Sequence, residues 1–207
     1  MSIARLTERF ALTDAERQRL EAFDAVFTRA AAHTNLVARS TLDDRWDRHY
    51  ADSLQLWPLV PSGTQTMLDV GAGAGFPGLI LAILAQDRAP GLRVTLADSV
   101  RKKARFLTEA IDAASLTNAS ATNARAETLA DRYDVVTARA VTALPALLDL
   151  CAPRLVPGGT LILPKGARAD EEEQNAERAW RFTAKRVKSA TDPQATILVI
   201  IDPERRR

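Results

Sequence analysis

The chain has 207 residues, 46% of them hydrophobic and 26% charged, with 28 Lys and Arg against 26 Asp and Glu for a formal net charge of +2. This is the composition of a folded globular domain of ordinary size, and it excludes a hydrophobe-poor disordered chain. No apolar run reaches the roughly 18 residues of a membrane helix, and the opening MSIARLTERFALTDAERQ lacks the apolar core of a secretion signal, so a cytoplasmic protein without membrane contact is expected.

Residues 1–60 read as a helical N-terminal extension packed on the rest of the chain. Thr13-Asp14-Ala15-Glu16 is a capping-box pattern, in which hydroxyl and carboxylate satisfy the free amides of a helix start. Leu20, Phe23, Phe27 and Ala30 follow at helical spacing. A second helix is predicted from Thr41, with a stripe of Leu42, Trp46, Tyr50, Leu54 and Trp57, ended by Pro58 and Pro61-Ser62-Gly63. Residues 61–207 then alternate between strand and helix patterns. Strands are expected at 66–70, 92–98, 119–125, 133–139 and 160–165, with helices at 77–86, 100–114, 143–155 and 169–181. Two closing strands, near 182–189 and at 195–201, have no room for a helix between them and should form an antiparallel hairpin. Strand–helix alternation implies a mostly parallel sheet covered on both faces. The single cysteine, Cys151, lies in an apolar stretch and reads as a buried structural thiol. One cysteine and two histidines argue against a structural zinc site, and no metal is expected.

The main chemical signal is Leu68-Asp69-Val70-Gly71-Ala72-Gly73-Ala74-Gly75-Phe76-Pro77-Gly78, which leaves a strand and opens a helix. Glycines there let the chain turn sharply and let backbone approach a ligand. Gly73 to Gly78 match GxGxxG, the dinucleotide fingerprint, while Asp69, Gly71, Gly73 and Gly75 match DxGxGxG, which looks like the first motif of Rossmann-like methyltransferases. A pyrophosphate would be repelled by Asp69, whereas a sulfonium cofactor with a free amino group suits a carboxylate. Asp98 ends the second strand, where a carboxylate can accept from two ribose hydroxyls or cap a helix. Ala126-Glu127 follows the third strand, at the level where adenine would be gripped.

Several segments together resemble one family: Asn35-Leu36, Arg48-His49-Tyr50-Ala51-Asp52-Ser53-Leu54, the GAGFPG loop, Asp98-Ser99 with Lys102-Lys103, Arg125-Ala126-Glu127, Asp134 to Ala140, and Pro157-Gly158-Gly159 with Pro164-Lys165-Gly166. The chain is similar over residues 30–166 to the bacterial small-subunit ribosomal RNA guanine-N7 methyltransferases, the glucose-inhibited division protein B family. PKG at 164–166 departs from the family's more usual apolar residue before KG. The resemblance implies a Rossmann-like class I methyltransferase fold, an α/β architecture whose mostly parallel seven-stranded sheet has an antiparallel final strand. It implies S-adenosyl-L-methionine as cofactor and a guanine of 16S rRNA, free or within the small ribosomal subunit, as substrate; separately from the resemblance, a monomer is expected. By matching position, Gly71, Phe76, Ala126, Glu127 and Arg139 would contact the cofactor and Asp98 would hold its ribose.

Guanine N7 is an unprotonated acceptor, so its lone pair can attack a methyl group directly and no general base is required. Arg139 and Lys165, each after a strand, are the candidates for positioning the base; orientation alone can be worth about 7–11 kcal/mol. The base must be unpaired in the RNA or flipped from its stack. Arg101, Lys102, Lys103 and Arg105 form a basic cluster that reads as a phosphate contact or as a solvated helix face, and His49 as a residue shaping the RNA entrance. Arg205-Arg206-Arg207 reads as a further RNA contact or a loose tail, and Asp170-Glu171-Glu172-Glu173 as a helix that RNA avoids. A small-molecule methyltransferase and a non-catalytic RNA-binding or ribosome-assembly protein remain the alternative readings, with an NAD enzyme last.

Overall fold

In the computed structural model, which describes residues 1–206, the sheet strands are β1 (Thr66–Val70), β2 (Arg93–Ala97), β3 (Ala119–Thr122), β4 (Tyr133–Ala138), β5 (Leu155–Lys165), β6 (Trp180–Lys188) and β7 (Thr196–Arg205). They form one seven-stranded sheet in the order β3-β2-β1-β4-β5-β7-β6. β3, β2, β1, β4 and β5 run parallel, and β7 runs antiparallel to both its neighbours, β5 and β6. The expected closing hairpin is therefore β6–β7. β5 begins five residues earlier than predicted, because Pro153 breaks the preceding helix and the Val156–Gly159 stretch runs on as strand past an irregularity opposite Tyr133/Val135.

The helices are α1 (Ile3–Phe10), α2 (Asp14–Ala31), α3 (Asp52–Leu54), α4 (Gly78–Arg88), α5 (Arg101–Ala113), α6 (Leu144–Cys151) and α7 (Ala169–Glu177). Alternation along the strands divides the core. Met67, Val94, Val135, Ile162 and Ile197 face α2, α4 and α5, while Leu68, Val70, Val136, Leu161, Leu163 and Leu198 face the α6–α7 side. Strands buried on both faces explain the nearly continuous apolar runs of β1, β4 and β5. Cys151 is buried in the second core, and burial pushes its thiol up to about 12, so it is the inert structural thiol expected.

The N-terminal helices join the first core, with Phe23 and Phe27 in the same cluster as Leu79 and Ile80. The capping box forms: Thr13 Oγ1 accepts from the Glu16 amide at 3.2 Å, and Glu16 Oε2 accepts from the Thr13 amide at 2.8 Å. Glu16 also receives Arg88, through Nε at 2.5 Å and a terminal nitrogen at 2.8 Å, which ties the start of α2 to the end of α4. The single helix predicted from Thr41 is instead a 3-10 turn (Arg39–Thr41), a π-helical turn (Trp46–Ala51) and the short α3. The π turn buries three successive residues, His49, Tyr50 and Ala51.

Candidate active site

The glycine loop leaves the carboxyl end of β1 and is held by two buried carboxylates. Asp69 Oδ2 accepts from the Gly78 amide at 2.9 Å, and Asp98 Oδ2 accepts from the Gly73 amide at 3.0 Å. Gly78 has no substitute here: a Cβ would lie 2.5 Å from Asp69 and 2.6 Å from Leu96. Gly71 carries φ +68°, and a Cβ there would stand 2.7 Å from Val141. Both glycine spacings seen in the sequence are thus in use, one for left-handed turns and the other for close packing on Asp69.

The structure revises the part expected of Asp69. Its carboxylate is fully buried beneath the loop and lines none of the cavities around it. Burial pushes its carboxyl up to about 7, against the opposing pull of the Gly78 amide and of Arg139, and among the described residues Oδ1 has no hydrogen-bond partner. Capture of the Gly78 amide is what turns the side chain inward, so Asp69 positions the loop. Gly75 likewise packs toward Leu79 and Phe23.

Two cavities flank the loop. One, of about 340 Å³, is walled by Val70, Gly71, Asp98, Val100, Lys103, Ala126, Glu127 and Leu150; the other, of about 320 Å³, by Leu36, Thr41, His49, Gly71, Gly73, Phe76, Lys103 and Arg139. Asp98 and the 3-10 turn Ala126–Thr128 therefore reach one chamber from two different strand ends. Asp98 accepts the Gly73 and Val100 amides, one on each oxygen, and a carboxylate retains lone pairs beyond these for a diol. With the apolar walls of Val100 and Leu150 for a purine, the chamber fits an adenosyl group.

A third cavity, of about 680 Å³, adjoins these and shares Thr41, His49 and Arg139 with one of them and Val141 with the other. All three meet at Ala140, the residue after Arg139, which holds a left-handed φ of +56°. Arg139 spans the junction. Its guanidinium donates to Asp52 Oδ2 at 3.0 Å and to the Arg48 carbonyl at 3.1 Å, and lies 5.5 Å over the Phe76 ring. It also reaches His49 Nδ1 at 3.2 Å. A guanidinium only donates, so Nδ1 accepts, and the neutral ring gives its Nε2 proton to Thr41 Oγ1 at 2.9 Å. Burial first, then the charges of Arg139 and Arg48, push His49 down to about 4. Its ring stacks on Phe76 at 5.1 Å, and Phe76 in turn packs on Phe23, Phe27 and Tyr50.

His49 was expected among the RNA contacts. It is 7% exposed with both ring nitrogens engaged, so it forms the cleft wall and offers no cation to a phosphate. Lys165 lines the third cavity, where its Nζ pairs with Glu172 at 2.6 Å and donates to the Thr142 carbonyl at 3.2 Å. In the basic cluster only Lys103 reaches the cavities; Arg101, Lys102 and Arg105 point to solvent, and Arg105 lies 3.6 Å from Glu109. Arg205 pairs with Asp149, and Arg206 donates to the carbonyls of Glu177 and Trp180. Because β7 runs antiparallel, this end lies at the opposite edge of the sheet from the glycine loop, away from the cleft. Arg207 lies outside the described residues. Sequence reasoning missed Asp52, Thr41 and Glu172. Asp52 stood inside the RHYADSL segment, but nothing local announced its partner 87 residues on.

This sheet order, with a loop of this build at the end of β1, defines the Rossmann-like methyltransferases. The solved structures it resembles include the O-methyltransferase from Bacillus cereus (TM-score 0.58, 13% identity, 96% of each chain covered) and the N-methyltransferase NodS from Bradyrhizobium japonicum in complex with S-adenosyl-L-homocysteine (TM-score 0.53, 16% identity, 86% of this chain and 97% of that one). The GidB family model, described as rRNA small subunit methyltransferase G, matches residues 12–198. Curated relatives named ribosomal RNA small subunit methyltransferase G are 45% identical in Rhodospirillum centenum (87% of this chain, 81% of the relative) and 40% identical in Cereibacter sphaeroides (87% and 88%). The chain belongs to the GidB family of rRNA small subunit methyltransferases. No helix among the described residues is long and apolar enough to cross a membrane, and no group of His, Cys, Asp or Glu among them could hold a metal ion.

Proposed function

We propose that the protein transfers a methyl group from S-adenosylmethionine to N7 of a guanine in small-subunit ribosomal RNA. The observation that carries this reading is the meeting of the two loop-side chambers and the larger open cavity at Arg139-Ala140, so that a donor and a base can approach one another across a single turn. Asp98 would hold the ribose of the cofactor, the Ala126–Glu127 turn its adenine edge, and the opened backbone at Gly71 and Gly73 its remainder. Once bound, the cofactor supplies an electrophilic methyl group on a sulfonium centre.

The chain's own residues then have two tasks. The first is orientation. Arg139, fixed by Asp52, Arg48 and His49, sets the shape of the turn between the chambers, and Lys165 offers a cation on the far wall. The second is to keep the approach free of competing bases, which suits a nucleophile that arrives unprotonated. His49 is held neutral and hydrogen-bonded on both nitrogens, so it takes no proton from the substrate. Lys103 at the cleft, with Arg101, Lys102 and Arg105 beside it on α5, gives the RNA backbone a track toward the site. The protein would act as a monomer in the cytoplasm.

Labelled methyl transfer tests the reading directly. Small subunits lacking the modification should accept label from S-adenosylmethionine, and a panel of small-molecule acceptors should not. Efficient transfer to a small molecule and none to the subunit would overturn it.

A further inference from the structure

The larger cavity carries a pair of side chains whose arrangement exceeds what an ion pair alone requires. Lys165 follows β5, and Glu172 lies in the first turns of α7. Their heads meet at 2.6 Å on the cavity wall, with side chains 8% and 16% exposed. Glu172 Oε2 is spent twice, on Lys165 and on the Leu144 amide at 2.8 Å. Among the described residues no hydrogen bond reaches its second oxygen, Oε1. Lys165 donates one of its three ammonium protons to the Thr142 carbonyl and meets Glu172 as an ion pair, which leaves at least one proton free. One donor and one acceptor therefore stand adjacent and unspent. The other carboxylates of this wall are differently placed: Asp52 is occupied on both oxygens by Arg139, Gln55 and Thr191, and Asp192 by Arg48 and its own turn.

A neighbouring donor and acceptor of fixed polarity form a base reader. Around the guanine ring the groups run N7, then O6, an acceptor, then N1–H, a donor. Lys165 matches O6 and Glu172 matches N1–H. Adenine presents the reverse, an amino donor beside the N1 acceptor, and would set like against like at both positions. Resting on the guanine-N7 function above, we propose that Lys165 and Glu172 read the O6/N1–H edge of the target base, with Glu172 the specificity-determining residue. This reverses the meaning of the acidic run at 170–173. Asp170 and Glu173 are drawn away to Arg186, while Glu172 turns into the cleft.

The test uses small subunits reconstituted with RNA carrying, at the position the wild-type protein methylates, guanosine, inosine or 2-aminopurine ribonucleoside. Inosine keeps O6 and N1–H, whereas 2-aminopurine lacks both and keeps N7. The wild-type protein should use inosine within about threefold of guanosine and 2-aminopurine at least about tenfold worse in kcat/KM, the discrimination expected of one good base-edge pair. Glu172→Gln, which keeps an amide oxygen for the Leu144 amide, should lose about tenfold on guanosine and inosine and little on 2-aminopurine, with cofactor affinity unchanged. Equal losses on all three bases, or wild-type use of 2-aminopurine as good as guanosine, would overturn the reader; the wild-type comparison needs no variant to fold. Failure of the wild-type protein to methylate any guanosine of the subunit would instead overturn the function on which the reader rests.

Discussion

Two fully buried carboxylates, one in the N-terminal extension and one beneath the glycine loop, are treated in opposite ways. Glu16 is completely satisfied: both oxygens take Arg88, and one also caps the Thr13 amide. Asp69 has a single partner, the Gly78 amide, leaves Oδ1 with none among the described residues, and sits near neutrality because of it. Where the fold needs a charge for docking, it surrounds that charge. Where the site needs a loop held open, it accepts a carboxyl that burial keeps protonated over a wide range of pH. Neutralising the two groups should therefore move stability in opposite directions.

The largest effect is expected at Glu16. Glu16→Ala leaves Arg88 without its partner and removes half the capping box, and should cost about 3 kcal/mol in denaturant unfolding, the lower part of the range for a broken buried pair because Arg88 is partly exposed. A loss below about 1 kcal/mol would place the docking of α2 in apolar packing alone. Next comes Arg139→Ala, which removes the clamp on Asp52 and His49. It should lower kcat/KM for small subunits by about 100-fold, or about 2.7 kcal/mol, with the far-ultraviolet circular dichroism unchanged. Near-normal turnover by the folded variant would remove Arg139 from the site.

Asp69→Asn sharpens the contrast. In the folded protein this carboxyl keeps its proton up to about pH 7, whereas in the unfolded chain it ionises near 3.8. Its contribution is thus complete below pH 3.8 and is lost as pH rises through 7, for a total of about 4 kcal/mol at 1.36 kcal/mol per pH unit. Asparagine should abolish this slope and, less the cost of one unpartnered amide N–H, make the protein more stable than wild type by about 2 kcal/mol at pH 8 and no more stable at pH 4. Equal pH dependence of the two proteins would show that Asp69 is ionised when folded. The smallest effect belongs to the basic face of α5: single replacement of Lys102 or Lys103 by Ala should reduce the slope of log affinity against log salt for RNA by slightly under 1. An unaltered slope would mean that these lysines face solvent when RNA is bound.

The same contrast marks what could be read from the sequence. Strands β1, β2 and β4, the β6–β7 hairpin, the capping box and the loop with Asp98 are written locally, in apolar runs, turn residues and glycine spacing. So is the chain order that brings Ala126, Arg139 and Lys165 to one edge of the sheet. The stretch from Thr41 to Trp57 was read as one helix because its apolar residues recur at helical spacing, but Arg45 to Asp24 and Arg139 to Asp52 are tertiary contacts, and they reshape it into short turns. For the same reason Asp69 and His49 were placed in contact with ligands. The burial that neutralises both groups, and the contacts to Gly78 and Arg139 that fix them, arise from tertiary geometry that spacing does not reveal. Glu172 was hidden in a run of four acidic residues, of which only its position on α7 singles it out.

Nucleoside analysis of subunits labelled by the wild-type protein asks whether this cleft methylates N7 of a small-subunit guanine. Label recovered as N7-methylguanosine from one position of the small-subunit RNA is the predicted result. Label in any other nucleoside, or none in the RNA despite measurable S-adenosylmethionine binding, would contradict it.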